Sequence, residues 1–162
     1  MDGRKKRIYG NAHSQRRREW IATRTYTRPV LDIGCAEGYM TSAIPSTVTA
    51  VDAFPPEEFI ADNATFLQAT VYDLPFDDAS FSTVCAFEML EHLRNPLKAL
   101  REMRRVCSER LYVTVPSYGA MRHTVGHHKD FRDIRSFVTK AGFTVVEYRV
   151  EYPYAYLEAT IE

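Results

Sequence analysis

The sequence predicts an α/β fold, on three observations. Residues 29–44 read as a short apolar strand, a glycine-containing turn and a helix-compatible run. Seven strand-like runs are spaced along residues 30–161, with helical stretches between several of them. Asp32, Gly34, Asp52, Asp73 and Glu88 all fall at predicted C-terminal strand ends, the edge at which open α/β sheets bind ligands.

At 162 residues the chain fits one domain with a single large core. Its hydrophobic content of 45% is ordinary for a globular protein. No apolar run approaches the ~18–20 residues that span a bilayer. The first ten residues, MDGRKKRIYG, lack the apolar stretch of a signal peptide. A cytoplasmic protein without membrane partners is expected. Cys35, Cys85 and Cys107 are odd in number and widely spaced, so buried free thiols are expected. Net charge is zero but unevenly placed. Residues 1–28 hold nine Lys or Arg against two Asp or Glu, a net +7, and the rest carries −7. The division expected is a basic N-terminal arm and helix, 1–28, and a ligand-binding domain, 29–162. Such an arm could touch nucleic acid or another anion.

In chain order, residues 1–10 read as disordered. Residues 14–23 read as a short helix with Ser14 as N-cap and Trp20 and Ile21 facing inward. Pro29 marks the boundary before the first strand. The turn is Gly34-Cys35-Ala36-Glu37-Gly38, where the absence of side chains at 34 and 38 permits a sharp bend and close approach of a ligand. A helix over 38–43 is expected to stop near Pro45. Residues 48–54 form a second strand. Asp52 at its end lies 18 residues after Gly34, the spacing at which a carboxylate accepts bonds from ribose hydroxyls. Ala53 and Phe54 follow as candidates to line a base pocket.

Residues 55–63 read as a short helical turn started by proline, and 64–76 as a third strand ending at Asp73. Residues 81–87 form a fourth strand. Asn95 and Pro96 then open a helix to about Cys107, with Leu97, Leu100, Met103 and Cys107 at helical spacing. Residues 110–115 make a fifth strand, and 120–129 a polar loop with His123, His127 and His128. Asp130 caps a helix over 131–141 that Gly142 closes. Residues 143–150 and 152–161 are the last two strands, tightly connected as in an antiparallel hairpin.

The glycine turn lacks the Lys-Ser/Thr of a P-loop and has too few glycines for a good dinucleotide fingerprint. It does resemble motif I of the class I S-adenosylmethionine (SAM)-dependent methyltransferases: Asp32, Gly34 and Gly38 match, and Ala36 replaces the middle glycine. Three further stretches carry the likeness. They are Asp73-Leu74-Pro75-Phe76, the pattern E-x-L-E-H-x-x-x-P starting at Glu88, and K-A-G-F-x-V at 140–145. Ser82 departs from the family, where many members carry Asp. The chain resembles a small single-domain member of the type 11 kind, over roughly residues 29–161.

The resemblance implies a Rossmann-like, seven-stranded, mostly parallel sheet with helices on both faces and a C-terminal antiparallel hairpin. It implies SAM as cofactor, held by Asp32, Gly34, Cys35, Ala36, Gly38, Asp52, Ala53, Asp73, Leu74, Phe87 and Glu88. Asp52 would take the ribose and Asp73 the adenine amino group. Tyr9, His13 or an arginine of the arm could meet the SAM carboxylate. The implied activity is methyl transfer to an oxygen or nitrogen nucleophile, with a small-molecule acceptor first. Alternatives are an RNA or protein acceptor at an open site, a non-catalytic SAM-binding subunit, and hydride transfer as a minor reading. His92, His127 and His128 are candidate bases, since imidazole titrates near neutrality. If 88–92 is helical, Glu88, Glu91 and His92 share one face and could hold a divalent metal, as an alternative to a metal-free site. Acceptor identity and oligomeric state are left open.

Overall fold

A computed structural model describes residues 11–117 and 131–161. It contains α1 (Ala12–Ala22), β1 (Val30–Ile33), β2 (Val48–Asp52), β3 (Ala64–Gln68), β4 (Phe81–Phe87), α2 (Pro96–Val106), β5 (Cys107–Pro116), α3 (Ile134–Lys140), β6 (Thr144–Glu151) and β7 (Tyr154–Thr160). The seven strands form one sheet in the order β3-β2-β1-β4-β5-β7-β6. The first five are parallel to one another, and β7 runs antiparallel between β5 and β6. The predicted α/β class, strand number and terminal hairpin therefore stand.

Period-two alternation divides the side chains between two cores. Val84 and Ala86 of β4, Leu111 and Val113 of β5, and Leu157 and Ala159 of β7 pack with α2 and α3 on one face. Cys85, Phe87, Tyr112, Tyr154 and Tyr156 point the other way, onto Trp20 and Ile21 of α1. All four residues of β1 are buried, as expected of a central parallel strand covered on both faces. The helix called an arm from its charge is thus part of this second core. Its single tryptophan is 3% exposed and meets Tyr112 and Tyr156 edge-on. The three cysteines are free and buried.

Several boundaries differ from expectation, each for a local reason. Asn11, not Ser14, caps α1: its side chain accepts from Ser14 N at 2.9 Å, so Ser14 is already inside the helix. The helix expected over 38–43 is a single 3₁₀ turn, Thr41–Ala43. So few residues before Pro45 cannot offset helix nucleation. No helix forms over 55–63. Ile60 N donates to Glu37 O at 2.9 Å, and Phe59 and Ala61 pack against Gly38 instead.

The third strand stops at Gln68, not Asp73, because Gln68 pairs with Asp52, the last residue of β2, and no partner lies beyond it. Asp73 then closes a turn, its N donating to Thr70 O at 3.2 Å. Strand β5 begins early, at Cys107, which pairs with Phe81. Asp133 caps α3, its side chain accepting from Arg135 N, in place of Asp130, which lies outside the described residues. Among the described residues no helix is long and apolar enough to cross a membrane. Residues 1–10 and the loop with His123, His127 and His128 also lie outside them.

Candidate active site

The C-terminal ends of β1, β2 and β4 converge on one trough, made of two cavities that share Gly34, Ala36, Glu88 and His92. The larger, about 440 Å³, is walled by Val51, Asp52, Ala53 and Phe54 on one side and by Thr70, Val71 and Tyr72 on the other. The smaller, about 260 Å³, is lined by Cys35, Phe87, Glu88 and Glu91, with Arg17 of α1 and Tyr154 of β7 closing it. A third cavity of about 550 Å³ is shallow and lies at the opposite, N-terminal strand ends, beside Val30, Val48 and Thr65. It is lined by no buried charged group.

The glycine turn is built by backbone geometry. Gly34 and Gly38 have φ of +76° and +87°, the left-handed region that glycine adopts freely. Ala36 shares that region at φ 46°. The departure from Gly-x-Gly-x-Gly is thus tolerated, with a small Cβ where the family prefers none. Gly34 N and Cys35 N both donate to Val51 O, at 2.8 and 3.2 Å, which ties the turn to the end of β2. Asp52 reinforces it: Oδ2 accepts from Ala36 N and Oδ1 from Phe54 N, each at 3.0 Å. Each oxygen keeps acceptor capacity for a ligand.

Asp32 sits beneath the turn, 2% exposed, and accepts from Thr41 Oγ1 at 2.6 Å. Burial pushes its carboxyl up to about 7 against that hydrogen bond. At the end of β4, Glu88 also has left-handed backbone, φ 56°, and its N donates to Thr114 O at 2.9 Å. Strained backbone at two wall residues is the pattern expected where a fold is shaped around a ligand. Burial lifts the Glu88 carboxyl to about 7, while the Arg17 guanidinium pulls it down. Glu91 is 1% exposed and held well above the ordinary carboxylate range, first by burial and then by Glu88.

Arg17 is 7% exposed and stacks over Tyr154 at 3.9 Å from the ring centre. Its Nε and Nη1, with Glu88 Oε1 and Glu91 Oε2, are buried and without a hydrogen-bond partner. Buried polar atoms are rarely left so. The residues that carry them, Arg17, Glu88 and Glu91, line the smaller cavity.

Of the residues singled out in the sequence, Asp32, Gly34, Cys35, Ala36, Asp52, Ala53, Phe87 and Glu88 line one or both cavities. Gly38 shapes the turn from behind. Asp73 is exposed, one residue beyond Tyr72, and lines neither cavity. Leu74 is 3% exposed in the core, its N donating to Glu102 Oε1 at 2.8 Å. His92 lines both cavities. Glu88, Glu91 and His92 do not share a helical face, because 88–92 is a bend into a 3₁₀ turn, Leu90–His92. Among the described residues no three such side chains gather into a metal site. The sequence reading expected an arginine of the arm near the site without singling out Arg17, and it missed Tyr154 and the 70–72 wall. The one available signal was the basic run at 16–18 beside Trp20, which reads equally as a solvated face.

The family model described as "Methyltransferase domain" matches residues 31–112. A Mycobacterium tuberculosis protein named "Probable S-adenosylmethionine-dependent methyltransferase" is 32% identical over 106 residues, covering 60% of this chain and 39% of its own. The chain therefore spans well under half the length of such relatives. Among solved structures, the Burkholderia thailandensis 1,6-didemethyltoxoflavin-N1-methyltransferase, with 1,6-didemethyltoxoflavin and S-adenosylhomocysteine (SAH) bound, superposes with a TM-score of 0.76. It is 21% identical, over 99% of this chain and 82% of that one. The [4+2]-cyclase SpnF gives 0.77 at 17% identity, over 91% and 80%. At these identities both likenesses speak for the fold.

Proposed function

Because the chain belongs to the methyltransferase-domain family, we propose that it binds SAM along the trough and transfers its methyl group to an oxygen or nitrogen nucleophile of a small molecule. The observation that carries this reading is Asp52, a carboxylate at the end of β2 pinned by two backbone N–H groups with acceptor capacity left over the larger cavity. That is the arrangement a vicinal ribose diol requires.

The bound cofactor supplies an electrophilic methyl group on a sulfonium. Asp52 accepts the ribose hydroxyls. Ala53, Phe54 and residues 70–72 wall the base, and Asp73 and Leu74 contribute through the turn they belong to. The backbone of Gly34, Cys35 and Ala36, with Phe87, lies along the amino-acid tail. Glu88 faces the tail's ammonium and Arg17 its carboxylate, which gives their unpaired atoms partners. Asp32 and Gly38 hold the turn in shape. The protein's contribution is placement and removal of the acceptor's proton, and His92, at the junction of the cavities, is within the region where that proton leaves.

The basic arm is less free than its charge suggests. Arg17 is buried, Arg18 donates to Tyr39 O and Ser42 Oγ, and Arg24 pairs with Glu147 at 2.7 Å. Three of its nine basic residues are spent inside the fold, which weakens the nucleic-acid reading.

The fold alone does not choose the reaction, so the test must follow the methyl group. The protein is incubated with methyl-tritiated SAM and separate pools of small metabolites, RNA and protein. Label in the small-metabolite pool is expected. Label only in RNA or protein overturns the acceptor class, and binding without transfer to any pool identifies a non-catalytic subunit.

A further inference from the structure

Strand β6 ends the sheet. It pairs with β7 on one side and, among the described residues, with nothing on the other. Over its eight residues that free side presents unpaired backbone N–H and C=O groups, a template for another strand. Val146, Val150 and Tyr152 are 55%, 52% and 71% exposed, and they are three of the six large apolar side chains exposed among the described residues. A bulge at Val146 interrupts the ladder, since Val145 pairs with Ala159 and Glu147 with Glu158. The bulge blunts only the start of this edge. From Glu147 to Glu151 the strand is regular.

The two faces of the regular stretch differ. Tyr148 and Val150 point to the α2 and α3 side, where Tyr148 packs on the core and Val150 pairs with buried Ala155. Glu147, Arg149 and Glu151 point to the α1 side. There Glu147 meets Arg24, and Arg149 lies over the Tyr156 ring and 3.2 Å from Glu151. Charge therefore alternates along one face, negative, positive, negative, while the other face is apolar.

We propose that β6 pairs antiparallel with β6 of a second copy of this chain, about a two-fold axis at Val150, joining two seven-stranded sheets into one. The alternating charge chooses the register. Faces match across the seam only when the axis passes through a residue, because side chains alternate with period two. An axis at Arg149 sets Glu147 against Glu151 of the second copy and Arg149 against itself, and like charges directly opposite are destabilising. An axis at Tyr148 runs the ladder through the bulge. An axis at Val150 sets Arg149 of each copy opposite Glu151 of the other, Val150 on Val150, and Tyr148 opposite exposed Tyr152. Each guanidinium then lies between two carboxylates, its own Glu151 and that of the second copy. The contact is isologous and closes at two chains. Its seam ends at the hairpin turn that leads into Tyr154, a wall of the smaller cavity.

Sedimentation equilibrium of the purified chain tests this. The wild type is expected to rise with concentration from the mass of one chain to that of two, and to stop there. Arg149→Glu and Glu151→Arg each set like charges across the seam, and each is expected to keep the mass of one chain, with the circular dichroism of the wild type. An equimolar mixture of the two variants is expected to recover the two-chain mass, since every Glu then faces an Arg. The Arg149–Glu151 contact within a chain is lost in both variants and mixing cannot restore it, so recovery reads the contact between chains. Val150→Lys keeps both charges and places two ammonium groups at the axis, and it too is expected to stay single. A wild type that remains single at every concentration or grows beyond two chains overturns the proposal. So does any of the three variants that still pairs alone, or a mixture that stays single.

Discussion

Met89 fills the space that a side chain on residue 34 would need. A Cβ built on Gly34 would lie 2.7 Å from the Met89 Cβ, and residue 34 also has left-handed backbone. Two separate penalties therefore oppose substitution there. Gly34→Ala is expected to lower the thermal midpoint by roughly 4–8 °C or more and to abolish nucleoside binding by shifting the turn. Met89→Ala in the same chain removes the part of the clash beyond the Met89 Cβ, which stays 2.7 Å away, and leaves the backbone strain. Partial recovery of stability in the double variant is the expected result, and full recovery would show that the φ requirement carries nothing.

The loop after β3, which walls the larger cavity, is fastened from below by Arg105. Its guanidinium donates to Leu74 O at 3.0 Å, Phe76 O at 2.7 Å, Asp78 at 2.8 Å and Glu102 at 2.7 Å. Arg105→Ala frees two carbonyls and removes the Glu102 partner. A loss of about 1–3 kcal/mol in urea unfolding is expected, with nucleoside affinity weakened severalfold through the 70–72 wall. Unchanged affinity with reduced stability would separate this loop from the site.

Helix α1 is docked rather than appended, and Trp20 reports on it. Trp20→Ala leaves a void among Tyr112, Tyr156 and Ile21 and is expected to cost about 3–5 kcal/mol. In the wild type, Trp20 emission should be that of a buried indole and stay so on adding ligand. A large red shift in native buffer would contradict the packing described.

The main framework was legible in the residues themselves: β4 matches its expected bounds of 81–87, and α2 carries its predicted stripe of Leu100 and Met103. The place of Asp52 at the end of β2 was legible from its distance to Gly34. What failed were short segments whose conformation is decided by tertiary partners. Residues 55–63 look helical in isolation, yet Phe59 and Ala61 are needed against Gly38. Asp73 looked like a strand end because nothing local reveals that β2 runs out at Asp52. Arg17 was invisible among Arg16 and Arg18, since helical spacing does not say which of three arginines will meet Tyr154.

Asp32 gives the fold a pH dependence of definite sign. Its carboxyl is lifted from 3.8 to about 7, chiefly by burial. Between those values the folded state binds more protons than the unfolded chain, so stability falls as pH rises through this window and levels off above it. Glu88, lifted from 4.5 to about 7, acts in the same direction. The thermal midpoint of the ligand-free protein is expected to drop by roughly 4 °C or more from pH 5 to pH 8. Asp32→Asn should flatten the slope, and a slope unaffected by that substitution would place the effect elsewhere.

The central claim is that the trough is a SAM site whose ribose contact is Asp52. Calorimetric titration of SAM and SAH into the wild type and Asp52→Ala tests it most directly. Binding of both by the wild type is expected, weakened about 10- to 100-fold in Asp52→Ala, in line with loss of charge-assisted hydrogen bonds to two hydroxyls. Equal affinity in the two proteins, or no binding of either nucleoside to a folded wild type, would contradict it.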